Sequence, residues 1–180
     1  GYLIPTGWQE AIDLLKLNGV KMQLVKKDTL AEVTSYEIID YKTAPTPYEG
    51  HYLHHDVKVN VQYWSKKLRA NEYYWIHTNQ PMKRYIIETL EPQAKDSYFN
   101  WNFFDEILQQ KEWFSTYVFD KEAEQLLAED EALSNSFKAL LKKDSTVKDD
   151  KFKQLYFLYR NTHHYERERH MIYPVLRVEN

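Results

Sequence analysis

A chain of 180 residues, 43% of them hydrophobic, holds enough apolar side chain for one packed domain, or one domain with a helical appendage. A formal net charge of −3, with no long block of Lys and Arg, argues against a nucleic-acid or other polyanion groove. The absence of Cys excludes disulfides, thiolate zinc sites and a Cys nucleophile, and no apolar run is long enough to span a bilayer.

In chain order, Tyr2-Leu-Ile-Pro5 reads as a short strand. Thr6 and Gln9 have capping-box spacing ahead of a helix whose apolar face is Trp8, Ala11, Ile12, Leu14 and Leu15. Asn18-Gly19 ends it, with Gly19 free to turn left-handed, and Val20–Val25 follows as a strand. The long crossover in this β-α-β start suggests parallel pairing.

From Leu30 to Ile76 the pattern is mainly β. Glu32–Tyr41 is rich in Val, Tyr and Ile, and Lys42–Gly50 is a Pro-Gly loop. Between His51 and Trp64, Val57, Val59, Val61 and Tyr63 alternate with Lys58, Asn60, Gln62 and Trp64, the mark of a half-buried strand in an antiparallel hairpin. Ser65-Lys66-Lys67 reads as a turn and Glu72–His77 as a further strand.

A strand–helix unit follows. Thr78 or Asn79 caps, Pro81 sits in the first turn, and Met82, Tyr85, Ile86 and Leu90 form the inward stripe. Glu91-Pro92 stops the helix, because the residue before Pro avoids helical angles. A second helix is expected after Asp96-Ser97, with Trp101, Phe104 and Leu108 on one face. The last third is polar and helical: Asp120 and Asp130 are candidate caps, Lys142–Lys151 is a charged turn, and Phe152–Tyr159 is another helix. Tyr173–Val178 closes as a strand, which Pro174 assigns to a sheet edge.

The expected fold is thus mixed, α/β to α+β: one domain over 1–180, with a mixed core at 1–112, a mainly helical part at 113–170 and a closing strand at 171–180.

Chemistry-bearing patterns are few. His51, His54 and His55 cluster, and on a strand His51 and His55 share a face while His54 points away. Two convergent ligands fall short of the three or four that zinc requires, so these read as surface and loop-end histidines. His163-His-Tyr-Glu166 spells His-x-x-Glu, but only His170 follows it, too near to be the distant ligand. Glu166 and His170 read instead as a solvated helical pair. No Gly-rich phosphate loop or Gly-x-Ser-x-Gly elbow is present, and no Ser, His and Asp spacing stands out as a triad.

Aromatic residues make up 16% of the chain, with 15 Tyr and 5 Trp. They read as core and sheet-face rings, or as a surface for peptide or glycan. In the second reading Trp64, Tyr73 and Trp75 are the candidate ligand-binding residues, with Tyr74 beside them. In the first they are cross-strand pairs that stabilise a sheet.

Several stretches together resemble the region downstream of the catalytic domain in bacterial zinc carboxypeptidase-family proteins of the Bacteroidetes type. They are Tyr2–Pro5 with Trp8, Leu14–Val20, Tyr41–His51, Asn79–Pro81, and Glu88–Ser97 followed by Trp101–Asp105 and Gln109–Glu112. Tyr48-Glu-Gly-His51 and Leu90-Glu-Pro…Asp96-Ser…Trp101-Asn-Phe-Phe-Asp105 are the most specific pieces. The resemblance spans nearly the whole chain, with 115–170 contributing least.

It implies a non-catalytic C-terminal accessory domain of a secreted or periplasmic metallopeptidase. That domain would pack on the catalytic unit of the same polypeptide or shape access to its cleft. The zinc and the catalytic residues would belong to that unit, so no catalytic residue, metal ligand or cofactor is assigned to this chain. The start at Gly1 fits an internal piece of a longer protein, whose leader would lie outside it. An accessory domain predicts an exposed apolar face, a ligand-binding module an aromatic groove with convergent polar groups, and an independent hydrolase a complete catalytic set.

Overall fold

The structure, a computed structural model, describes residues 1–109, 114–165 and 170–179. It has the expected mixed class, helices with a six-stranded antiparallel sheet. The chain divides into two compact units, Gly1–Gln109 with Arg169–Asn180, and Gln110–Glu168.

The first unit contains β1 (Tyr2–Pro5), α1 (Gln9–Leu17), β2 (Gln23–Leu24), β3 (Thr29–Thr43), β4 (His54–Leu68), β5 (Tyr73–Ile76), α2 (Lys83–Leu90) and β6 (Leu176–Val178). The strand order is β2-β5-β1-β6-β3-β4. β1 and β2 therefore run in the same direction without pairing, because β5 lies between them and is antiparallel to both. The expected direct parallel pair is corrected: the crossover delivers β2 one strand too far, and the gap admits a later strand.

β6 also departs from expectation, lying between β1 and β3 rather than at an edge. Pro174 precedes the ladder, which begins at Leu176, so its missing N–H is not needed there. Tyr173 N–H still reaches Tyr36 C=O, so the chain joins β3 before the named strand begins.

The sheet must curl. Val25 and Thr29 are four residues apart, a reach of about 14 Å at full extension, yet β2 and β3 lie four strand spacings apart, about 19 Å in a flat sheet. The inner face of that curl carries Leu3, Ala31, Val33, Leu68, Leu176 and Val178, all buried, with Val25, Tyr73 and Trp75 packed against them. The other face bears α1, α2 and the 98–108 segment over Ile4, Tyr36, Ile38, Val57 and Ile76.

Local rules explain some element ends. Gly19 takes φ +76 after α1, as expected. Glu91 is extended at ψ 127 before Pro92, which stops α2. The proposed caps, Thr6 with Gln9 and Thr78 or Asn79, are corrected: α1 begins after Trp8 and α2 after Met82, neither with a side-chain cap, while Thr6 Oγ1 donates to Asn71 C=O and Gln9 Nε2 to Asp13 Oδ1.

Ser65-Lys66-Lys67 is no turn but the last part of β4, paired to β3 as far as Thr29↔Leu68. Only the lower half of that strand alternates as expected: Val57 is buried and Val59 partly so, whereas Val61 and Tyr63 are exposed. Between Ser97 and Gln109 there is no α-helix, only turns and a short 3-10 stretch at Asp105–Leu108. Ser97 Oγ accepts from Asn100 N–H, and Asn100 Nδ2 donates to Ala94 and Lys95 carbonyls, so side chains take up the backbone groups a helix would have used.

The second unit contains α3 (Thr116–Glu129), α4 (Glu131–Lys143), α5 (Ser145–Lys148) and α6 (Lys151–Tyr159). Phe119, Ala123, Leu133, Leu155, Leu158, Tyr159 and Tyr165 form its core. Asp130 caps α4 as expected, accepting from Leu133 N–H at 2.9 Å, while Asp120 lies inside α3. The charged 142–151 stretch contains α5, with Asp144 and Asp150 capping α5 and α6. Among the described residues no helix is long and apolar enough to cross a membrane.

Candidate functional site

Two stretches distant in sequence meet in the first unit. Between β3 and β4 the chain reverses through Tyr48-Glu-Gly-His51, closed by paired backbone bonds between Tyr48 and His51. Both central residues take positive φ, Glu49 at 48° and Gly50 at 85°, which is why Gly is placed there. This turn meets the 101–103 segment: the Trp101 ring is 6.2 Å from Tyr48 and 5.6 Å from His51, and the His51 ring is 6.0 Å from Phe103. Tyr48 and Tyr52 are exposed, and Trp101 and Phe103 half-buried. The product is an open aromatic surface with a histidine at its centre.

Beneath it His54 is buried, and it ties the two segments together. Its Nε2 lies 3.1 Å from Asp105 Oδ1 and its Nδ1 2.9 Å from Thr43 Oγ1. Asn102 Nδ2 also lies 3.2 Å from Nε2, so that nitrogen faces both a carboxylate and an amide donor, and which role it takes follows the ring tautomer. His54 N–H donates to Asn100 C=O, and Asn102, held at φ +67, donates to Tyr52 C=O. The ring packs between Tyr41 at 4.7 Å and Phe99 at 5.1 Å. Burial, and then the Asp105 charge, push the Tyr41 hydroxyl pKa upward.

Hydroxyl, imidazole and carboxylate in this order have the connectivity of a nucleophilic triad, but their exposure is inverted. The imidazole is closed to solvent at 5%, whereas the carboxylate is open at 45%. A working triad shelters the acid and opens the imidazole edge to substrate. The arrangement therefore orients and supports; it is not set up to activate Thr43.

Expectation for the histidines is corrected here. His54, assigned to point away, is the inward one, while His55 stands exposed beside Asp56. Asp56 takes φ +52 and the ladder slips between Asp40 and Lys42, so strand alternation does not carry through from His55 to Val57. His51 lies before β4, in the turn. Among the described residues no three His, Asp or Glu side chains could hold one metal ion. The His163 and His164 rings lie 3.9 Å apart at a 41° tilt and His164 contacts Glu122; Glu166 lies outside the described residues.

The three sequence-nominated rings do not form a shared platform on one strand pair. Tyr73 and Trp75 are on β5 against the inner core, and Trp75 Nε1 is buried with no acceptor among the described residues. Trp64 is on β4, with β1, β6 and β3 between it and β5 in the sheet. It is 42% exposed, donates from Nε1 to Ser35 Oγ and lies under the Lys66 ammonium at 4.7 Å. In the second unit a shallow cleft is lined by Lys138, Leu141, Lys142, Ser145 and Lys148, a set of solvated cations beside one hydroxyl.

Reasoning from composition and motif chemistry missed Tyr48, His54, Trp101, Phe103 and Asp105 as a group. The available signal was the Gly50 turn and the two specific stretches of the resemblance. No family model matches the chain, and neither the curated proteins nor the solved structures contain a match to it.

Proposed function

We propose that the chain is a non-catalytic accessory domain of a zinc carboxypeptidase-like metallopeptidase, secreted or periplasmic, and that its Tyr48–Trp101 face packs on the catalytic domain of the same polypeptide. One observation supports this above the rest. The two pieces that carry the resemblance most specifically meet: Tyr48–His51 and the Trp101–Asp105 end of the Leu90–Asp105 piece come together in one open aromatic surface.

Clustered open rings of this kind suit a docking face, where aromatic residues supply most of the contact energy and a partner removes them from water. The His54–Asp105 tie beneath keeps that face in one shape before docking, which lowers the ordering cost of association. The alternative, a peptide- or glycan-binding module on Trp64, Tyr73 and Trp75, has less support, because two of the three rings are drawn into the inner core.

The test pairs the purified chain with a separately expressed catalytic domain of this type. Saturable binding should weaken at least tenfold in the Tyr48→Ala/Trp101→Ala variant, with its circular dichroism unchanged. The chain alone should bind no stoichiometric zinc and should leave a mixed set of C-terminal peptides uncut. Cleavage with bound zinc, or binding indifferent to the paired substitution, would overturn the proposal.

A further inference from the structure

We propose that two copies of this chain associate edge to edge through β4, antiparallel, in a register centred on Val61. β4 is the outer strand of the sheet and runs for 15 residues. Its free side can be read from β3. Tyr36 C=O and Ile38 N–H are bonded to Tyr173 and Met171, away from β4. Alternation then turns residues 33, 35 and 37 toward β4, where they face Trp64, Gln62 and Asn60. On β4 the outward N–H and C=O groups therefore belong to Val59, Val61, Tyr63 and Ser65. Gln93 Nε2 bonding Val57 C=O from the open side agrees with this phase.

From Val59 to Ser65 no hydrogen bond from the described residues reaches the outward groups. Natural sheets shield such edges with Pro, charge or short length. The Val59–Ser65 segment carries no Pro and no charged residue. Val61, Tyr63 and Trp64 are exposed along it, at 40%, 76% and 42%.

The sequence of the strand selects the occupant. Laid antiparallel on itself about Val61, β4 sets Val59 opposite Tyr63, Asn60 opposite Gln62 and Lys58 opposite Trp64. These are apolar–aromatic, amide–amide and cation–ring neighbours. Outward groups meet outward groups only when the pairing shifts by two residues at a time. Moving the centre to Gln62 sets Lys58 against Lys66, and moving it to Tyr63 sets Lys67 against Val59. Moving it to Asn60 sets Tyr63 against Val57, whose outward carbonyl Gln93 already holds. The Val61-centred register is thus the one that pairs the uncharged Val59–Tyr63 segment with itself without a like-charge or blocked position.

The experiment is sedimentation velocity of the 180-residue chain over a concentration series. A reversible monomer–dimer equilibrium is expected. Val61→Pro removes an outward N–H at an edge position that tolerates Pro, and Val61→Lys sets like charges on the two-fold axis; both should stay folded and sediment as monomers. The chain has no Cys, so Val61→Cys introduces a single thiol. Directly opposed residues of an antiparallel pair lie about 4.5–5.5 Å apart at Cα, within disulfide reach. Mild oxidation should therefore link the Val61→Cys variant and leave a Tyr63→Cys variant unlinked. A monomer at every concentration, a dimer unmoved by both substitutions, or preferential linking of a Gln62→Cys variant would overturn the proposal. So would an edge that captures an acidic extended peptide but no second copy.

Discussion

His54 Nε2 is hydrogen-bonded to Asp105 Oδ1 at 3.1 Å, across 51 residues of sequence. That bond joins the start of β4 to the turn segment after α2, and the aromatic face rests on it. His54→Ala deletes a buried ring together with its hydrogen bonds to Thr43 and Asp105. The expected loss is about 2–4 kcal/mol, from lost packing and unmet polar groups. Urea unfolding should show a lower midpoint with an unchanged slope, and the contacts between residues 48–51 and 101–103 should weaken first by hydrogen exchange.

Tyr48 and Trp101 sit above the same tie and should behave differently. Tyr48 is 58% exposed, so removing its ring costs little packing. Tyr48→Ala is expected to change stability by less than about 1 kcal/mol, within the usual range for surface positions. Its effect should appear instead in association with the catalytic domain. A large stability loss measured by urea unfolding would mark the ring as part of the core rather than of a docking face.

Alkali should unfold the first unit through its tyrosines. Tyr2 donates to Glu91 Oε1 at 2.6 Å, and Tyr173, fully buried, donates to Leu90 C=O at 2.9 Å. Burial first, then the Glu91 charge, pushes the Tyr36 hydroxyl up to about 12, and Tyr2, Tyr98 and Tyr173 are raised in the same direction. The unfolded chain ionises near the ordinary value of 10 and so binds fewer protons than the fold above it. The tyrosine contribution to stability is therefore fully present below about pH 10 and is lost as pH rises toward 12. Urea midpoints over this range should decline, and Tyr36→Phe should flatten the decline.

Asp130 offers a separate test in the second unit. Its carboxylate accepts from Leu133 N–H at the start of α4, a position where an acidic cap also opposes the helix dipole. Asp130→Ala should cost about 1 kcal/mol. Faster amide exchange in the first turn of α4 would report it, and Asp130→Asn should restore most of the protection.

Sequence reading succeeded where short-range rules decide. The left-handed turn at Gly19, the stop at Glu91-Pro92, the Asp130 cap and the apolar stripe of α2 all depend on neighbours within a few residues. It failed after Ser97, where a helical spacing of aromatic rings was outweighed by Ser97 and Asn100 bonding their own backbone. The aromatic face was only half legible: both of its stretches stood out, but nothing local shows that they touch.

By itself, then, the sequence determined the mixed class, most elements and the turn chemistry, because those follow from side-chain spacing and local backbone preference. Tertiary structure decided three things. It placed β5 between β1 and β2, and β6 between β1 and β3, since strand neighbours are chosen by long-range pairing. It curled the sheet, because Val25 to Thr29 is too short to cross a flat one. And it turned His54 inward, because a positive φ at Asp56 breaks an alternation that the residue types alone would continue.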